Sequence, residues 1–194
     1  MTVLNRPDVT RLLADHGLAP RRSLGQNFVA DPNTVRRIAR LANVGIGDRV
    51  LEIGAGLGSL TLALAETGAQ IRAVEVDRGI VPVLRAVVAD VPNVEVIEGD
   101  AMSLDWGTVL AGEAPWVLVA NLPYNVATPL VCDLLDDVPA IGRIVVMVQR
   151  EVADRFAASP RTAAYGAVSV KVAYHATAKV VGTVPASVFV PRPN

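Results

Sequence analysis

Up to Gly45 the apolar positions recur at helical spacing, and beyond it short apolar runs alternate with helical stretches. "RPDVTRLLADHG" and "PNTVRRIARLANVG" read as two helices separated by the loop "LAPRRSLGQNFVAD". In the second, Asp31 suits the N-cap, Pro32 the first helical position and Gly45 the stop. Then "RVLEI" (49–53), "QIRAVEV" (70–76), "VEVIEG" (94–99), "PWVLVAN" (115–121) and "RIVVMVQ" (143–149) read as strands. Between and after them, residues 58–67, 79–90, 128–137 and 150–159 read as helices. Apolar strands alternating with helices imply a parallel sheet covered on both faces. "GAVSVKVAYHATAKVVGTV" (166–184) reads as two β-strands forming an antiparallel hairpin at the sheet edge. The expected fold is α/β: a doubly wound, mostly parallel, Rossmann-like sheet over residues 46–194, with residues 1–45 as a helical extension. Ligands in such folds bind at the carboxyl ends of the strands.

Composition narrows the class without naming a function. An apolar fraction of 52% in 194 residues supports one globular domain with a real core. No apolar run approaches a membrane span, and the N-terminus lacks the apolar stretch of a secretion signal. A lone cysteine, Cys132, excludes an internal disulfide framework and fits a reducing, cytoplasmic setting. His16 and His175 have no partners at metal-ligand spacing, so no metal is expected. Charge is uneven: residues 1–49 carry eight Arg against four Asp, and residues 50–142 carry three Arg against thirteen acids. Residues 143–194 are again basic, with five Arg and two Lys against Glu151 and Asp154. On charge alone, solvated helix faces are the favoured reading, ahead of a phosphate-facing surface. Arg21 and Arg22 are the candidates for phosphate contacts.

The chemistry-bearing residues fall at strand ends. "LEIGAGLGSL" puts Gly54, Gly56 and Gly58 at the first strand–helix turn, where a backbone can approach a ligand closely. Glu75 ends the next strand, where a carboxylate can bind both ribose hydroxyls of an adenosine. A dinucleotide needs G-x-G-x-x-G, but here Ser59 holds the place of the third glycine. That spacing favours a donor without phosphates, S-adenosylmethionine. Asp100 ends the third strand and can accept a hydrogen bond from the adenine amine.

The fourth strand runs into Asn121-Leu122-Pro123-Tyr124. The exocyclic amine of a base is a poor nucleophile, because its lone pair is delocalised into the ring. Accepting hydrogen bonds from both its hydrogens localises that pair. The Asn121 amide oxygen and the Leu122 carbonyl can accept one each, Pro123 stiffens the loop, and Tyr124 offers a face for a flipped base.

On "SLGQNFVAD", "LEIGAGLGSLT", "NLPYNVATPL", "MVQREVADRFAASPRTAAYGAVSV" and "VPASVFVPRPN", in that order, the chain resembles the ribosomal RNA adenine dimethyltransferases, above all the bacterial small-subunit branch. Leu122 points to the RNA branch, since many DNA adenine methyltransferases have proline there. The resemblance implies that Gln26, Asn27 and Val29 help bind S-adenosylmethionine with Gly54, Gly56, Glu75, Asp100 and Asn121. The family usually has leucine where Val29 stands. Phe189 would be the second aromatic beside the target base, opposite Tyr124; an ordinary core phenylalanine is the alternative. The implied activity is N6,N6-dimethylation of adenines in small-subunit rRNA during ribosome biogenesis, by a monomer acting on a precursor particle without a membrane partner. Two other readings stand beside it: a large-subunit enzyme of the antibiotic-resistance type, and an assembly factor whose RNA binding matters more than catalysis. After "FVPRP" the family continues into a small helical RNA-gripping domain, whereas this sequence stops at Asn194.

Overall fold

The computed structural model describes residues 2–21, 24–112, 115–123 and 125–193. Five strands form one parallel sheet. They are β2 (Arg49–Ile53), β3 (Gln70–Glu75), β4 (Val94–Glu98), β5 (Trp116–Asn121) and β6 (Ile141–Met147), in the order β4-β3-β2-β5-β6. Strand order reverses between β2 and β5, which opens a crevice above their carboxyl ends.

Alternation along each strand splits the core into two layers. Val50, Ala73, Val117 and Val119 face one layer, beneath α1 (Arg6–Asp15), α2 (Pro32–Ala42), α3 (Ser59–Ala65) and α4 (Val81–Val87). Leu51, Ile53, Val74, Leu118 and Ala120 face the other, beneath α5 (Trp106–Val109), α6 (Ala127–Asp137) and Phe156 of α7 (Arg150–Phe156). The expected doubly wound architecture is therefore present. Asp31 caps α2 through its carboxylate and the Thr34 N–H at 3.0 Å. The helix stops at Ala42 on a left-handed Asn43 (φ 48°), ahead of the glycine expected to end it.

The antiparallel element lies elsewhere than expected. Residues 166–184 do not form a hairpin: Ala167–His175 is a helix, α8, and no strand follows it before Phe189. Its sequence, AVSVKVAYH, alternates valines at period two, and tertiary contacts override that preference. The Ser169 hydroxyl accepts from the Gly166 N–H (3.1 Å) and donates to the Arg155 carbonyl (2.7 Å). Lys171 and His175 both pair with Asp136 of α6. The small antiparallel sheet is instead β1 (Phe28–Val29) with β7 (Phe189–Val190), and Arg6 of α1 donates to the Ser187 and Phe189 carbonyls. Among the described residues, no helix is long and apolar enough to cross a membrane.

Candidate active site

Alternation puts three polar side chains on one face of the sheet, the face under α3. Glu52 pairs in register with Val119, Asn121 lies two residues further along β5, and Glu75 follows Val74 at the end of β3. They line a cleft with Leu24–Val29, the glycine turn 54–57, Ser59, Leu60, Val76 and Pro123.

Glu75 is 5% exposed, and its carboxylate accepts from three backbone N–H groups. Oε2 accepts from the Gly56 N–H (2.7 Å), and Oε1 accepts from the Val76 and Asp77 N–H groups (3.0 and 2.9 Å). Burial raises its pKa, and the three N–H donors oppose that shift. The carboxylate thus holds the glycine turn and the end of β3 in one piece. Gly56 needs its missing side chain: φ is +58°, and a Cβ would lie 3.1 Å from the Phe28 ring.

The segment before the sheet forms the other wall. Gly25, at φ +61°, passes so close to Pro123 that a Cβ would lie 2.8 Å from the proline's own. The Asn121 Nδ2 group donates to the Asn27 carbonyl (3.2 Å), which leaves the amide oxygen as the free acceptor. Leu122 is buried in the second core layer; its N–H donates to the Met147 carbonyl (3.1 Å), and no described N–H takes up its own carbonyl. Gln26 lines the cleft while spanning Asp77 (Nε2 to Oδ2, 2.7 Å) and the Arg21 N–H (2.8 Å to Oε1). Asp77 also pairs with the Arg21 guanidinium at 3.3 Å.

Of the residues expected at the site, Gln26, Asn27, Val29, Gly54, Gly56, Glu75, Asn121 and Pro123 therefore come together. Asp100 stands apart from that lining. It is exposed beyond β4 and caps a turn through the Met102 N–H (2.9 Å), although Gly99 donates to the Glu75 carbonyl (3.0 Å) and keeps it beside that strand end. Phe189 pairs with Val29 and is buried in the apolar core, so its side chain does not line the cleft. Tyr124 and Arg22 lie outside the described residues. Sequence reasoning missed Glu52, Ser59 and Phe28. Glu52 had a signal: an acid inside the apolar run RVLEI, on the helix-covered face. It is 1% exposed, and Oε2 has no hydrogen-bond partner; the Ser59 hydroxyl is also buried without one. Desolvation, with a smaller push from Glu75, raises the Glu52 pKa to about 8 against the moderating Thr61 hydroxyl.

Residues 17–194 match the family described as ribosomal RNA adenine dimethylase. The chain belongs to that family. It is 47% identical over 199 residues to the ribosomal RNA small subunit methyltransferase A of Bifidobacterium longum subsp. infantis, which covers 99% of this chain and 65% of that protein. The Streptomyces coelicolor protein of the same name is also 47% identical, over 99% of this chain and 68% of its own length. This member of the adenine dimethylase family thus spans about two thirds of the length of such relatives. Among solved structures, a dimethyladenosine transferase from Plasmodium falciparum superposes with a TM-score of 0.73 at 28% identity, covering 84% of this chain and 58% of that one. The 23S rRNA methyltransferase ErmE gives 0.57 at 30% identity, covering 68% and 51%.

Proposed function

We propose that this chain is the catalytic part of a small-subunit rRNA adenine N6,N6-dimethyltransferase that uses S-adenosylmethionine. The single observation that carries the reading is the Asn121 amide. Its NH2 end is tied to the Asn27 carbonyl, so its oxygen is left to accept from a substrate amine beside the glycine turn.

The cleft fits the cofactor. Gly54 and Gly56 give a bare backbone for close approach, Glu75 offers carboxylate oxygens to the ribose, and Asp100 stands beside that strand end to accept from the adenine amine. The cofactor supplies a methyl group on a sulfonium, a strong electrophile that needs no metal. The chain supplies position and polarity. Asn121 Oδ1 and the Leu122 carbonyl accept the two amine hydrogens, which localises the nitrogen lone pair. Pro123, packed against Gly25, holds that carbonyl in place. As the new N–C bond forms, the methyl carbon–sulfur bond would break with its electron pair left on sulfur as a neutral thioether, and the surplus proton on nitrogen leaves to water. Support for the small-subunit reading over the large-subunit one comes from relatives 47% identical across nearly the whole chain.

Labelled cofactor and unmethylated small ribosomal subunits test this, with mapping of the modified nucleotides. Asn121→Ala should lower methyl transfer by roughly 10²–10³, the usual cost of one such acceptor or donor, while cofactor binding largely survives. Turnover within a few-fold of the parent would remove the basis for the assignment. RNA binding that persists without any transfer in the parent chain would favour the assembly-factor reading instead.

A further inference from the structure

Among the described residues, two besides the glycines have a left-handed backbone, Asn43 and Arg161. Asn43 ends α2, where asparagine tolerates that conformation. Arg161, at φ +71°, has no such excuse. It sits in a turn closed by Thr162, whose N–H (3.2 Å) and hydroxyl (2.8 Å) both donate to the Ser159 carbonyl. Pro160 takes the second place of the turn, so Arg161 holds the third, where a positive φ calls for glycine. Arginine there is strained in a way that glycine is not. Nothing inside the chain offsets this: among the described residues the Arg161 guanidinium has no hydrogen bond, ion pair or ring contact, and residues 159–162 are exposed.

The turn lies on the transfer side of the cleft. β6 ends at Met147, whose carbonyl takes the Leu122 N–H, so the chain leaves the sheet beside the loop that follows β5. α7 then runs for seven residues, about 10 Å. The loop 157–166 leads into α8, whose Ser169 hydroxyl reaches back to the Arg155 carbonyl (2.7 Å). Direction follows from α6, which starts at Ala127 next to the site and runs away from it. Lys171 pairs with Asp136 near the end of α6 (2.6 Å), and its charge also bears on Cys132, one turn earlier; His175, one turn later on α8, bonds Asp136 (2.9 Å). α8 therefore runs the same way as α6, and its start, with the turn before it, is at the end nearer the site. The adenosine end, marked by Glu75, lies on the far side of β2.

From Arg155 to Asn194 the chain has three Arg, two Lys and no acid, so nothing in this stretch neutralises the turn. Tyr165, 37% exposed, is pinned by the next turn, its N–H donating to the Thr162 carbonyl (3.1 Å). An exposed cation and an exposed ring four residues apart, beside a base-accepting site, suit the phosphates and bases of a single strand. A phosphate held by the guanidinium offsets a backbone conformation that costs the empty chain stability. This step rests on the RNA adenine methyltransferase reading above. We infer that Arg161 contacts a phosphate of the RNA strand carrying the target adenine, presented to it by the turn Ser159–Thr162.

The test compares the parent chain with Arg161→Gly and Arg161→Lys. Glycine relieves the backbone, so Arg161→Gly should melt at or above the parent temperature and bind S-adenosylhomocysteine with the parent's affinity. Its affinity for unmethylated small ribosomal subunits at about 0.1 M salt should nevertheless fall roughly fivefold to tenfold, the share of one phosphate contact. The slope of log affinity against log salt should shrink by about one. In transfer from labelled cofactor, the loss should appear as a raised KM for the subunits, with kcat within about twofold of the parent. Arg161→Lys keeps the charge and should keep the parent's salt slope. Unchanged subunit affinity and salt slope in Arg161→Gly would overturn the inference. So would a lowered melting temperature in that variant, because it would make the arginine a structural part of the turn. Either result, with methyl transfer by the parent chain intact, leaves the proposed function standing. A parent chain that binds the subunits and transfers no methyl group would overturn that function, and this inference with it.

Discussion

A carboxyl group sealed under a glycine turn should make the empty protein less stable as pH rises, and Glu52 allows the size to be worked out. Its pKa stands at about 8 in the folded chain against 4.5 for a free glutamate. The folded pKa is the higher one, so folding favours the protonated form. The stability this group contributes is complete below pH 4.5, declines as the unfolded chain ionises, and is gone once pH passes about 8. At about 1.4 kcal/mol per unit of pKa difference, the decline amounts to about 4–5 kcal/mol. That is a large share of the roughly 5–15 kcal/mol typical of a whole domain. Glutamine has nearly the same shape and no charge to desolvate, so Glu52→Gln should escape the decline. Urea unfolding of both chains from about pH 5 to 9, without ligand, reads it directly. The two should be of similar stability near pH 5, and the glutamine variant should be ahead by several kcal/mol above pH 8, with unchanged m-values. Other titrating groups act in both chains and drop out of the difference. Parallel curves across the range would refute the reasoning, because they would mean that solvent reaches the carboxylate in the folded protein.

Other expectations follow from single contacts. Gly25→Ala meets both a left-handed backbone (φ +61°) and Pro123 at 2.8 Å. It should weaken cofactor binding at least tenfold by calorimetry, while leaving a cooperative thermal transition that shows the sheet intact. Ser169→Ala strands the Gly166 N–H and the Arg155 carbonyl, one of them bonded at 2.7 Å and both beside a side chain 1% exposed. It should cost about 1–3 kcal/mol in urea unfolding without altering cofactor affinity, since α8 lies outside the cleft.

The sheet was legible because its signal is repetitive. Each strand from β2 to β6 is built on a short apolar run, and helical stretches separate these runs everywhere except between β4 and β5, where the four-residue α5 is too short to show a period. The same habit of reading misled at α8, where valines at period two meet a helix fixed by one serine and by ion pairs from α6, contacts that no local pattern announces. Two-residue strands such as β1 and β7 leave no periodicity to find; their pairing joins positions 160 residues apart. At the site, Gly54, Glu75 and Asn121 were visible as strand-end residues, a placement that follows from the fold class. Gln26, Asn27 and Val29 came only through family resemblance, because a polar loop preceding the sheet carries no sign of where it folds back. Glu52 was overlooked although a glutamate in a buried run is the kind of local conflict that marks a functional position.

That folded-back loop explains why the cleft is built from distant parts of the chain. A doubly wound sheet alone supplies a floor: bare glycine backbone, Glu75 at one end and Asn121 at the other. It supplies nothing to orient an amide. The loop does this through its own backbone, since the Asn27 carbonyl selects which end of Asn121 points away from it. A side-chain partner could rotate, whereas a carbonyl held by a strand cannot. Phe28 and Val29 are that strand, paired with Phe189 and Val190, and Phe28 also bears on Gly56. The orientation of the acceptor therefore depends on residues at both ends of the sequence. Cutting the chain before β7 should leave the five-stranded sheet able to form while loosening Asn27 and with it the Asn121 amide. Such a truncated chain should unfold cooperatively yet transfer methyl groups at least tenfold more slowly than the 194-residue chain. Undiminished transfer would show that the amide is oriented by something other than the Asn27 carbonyl.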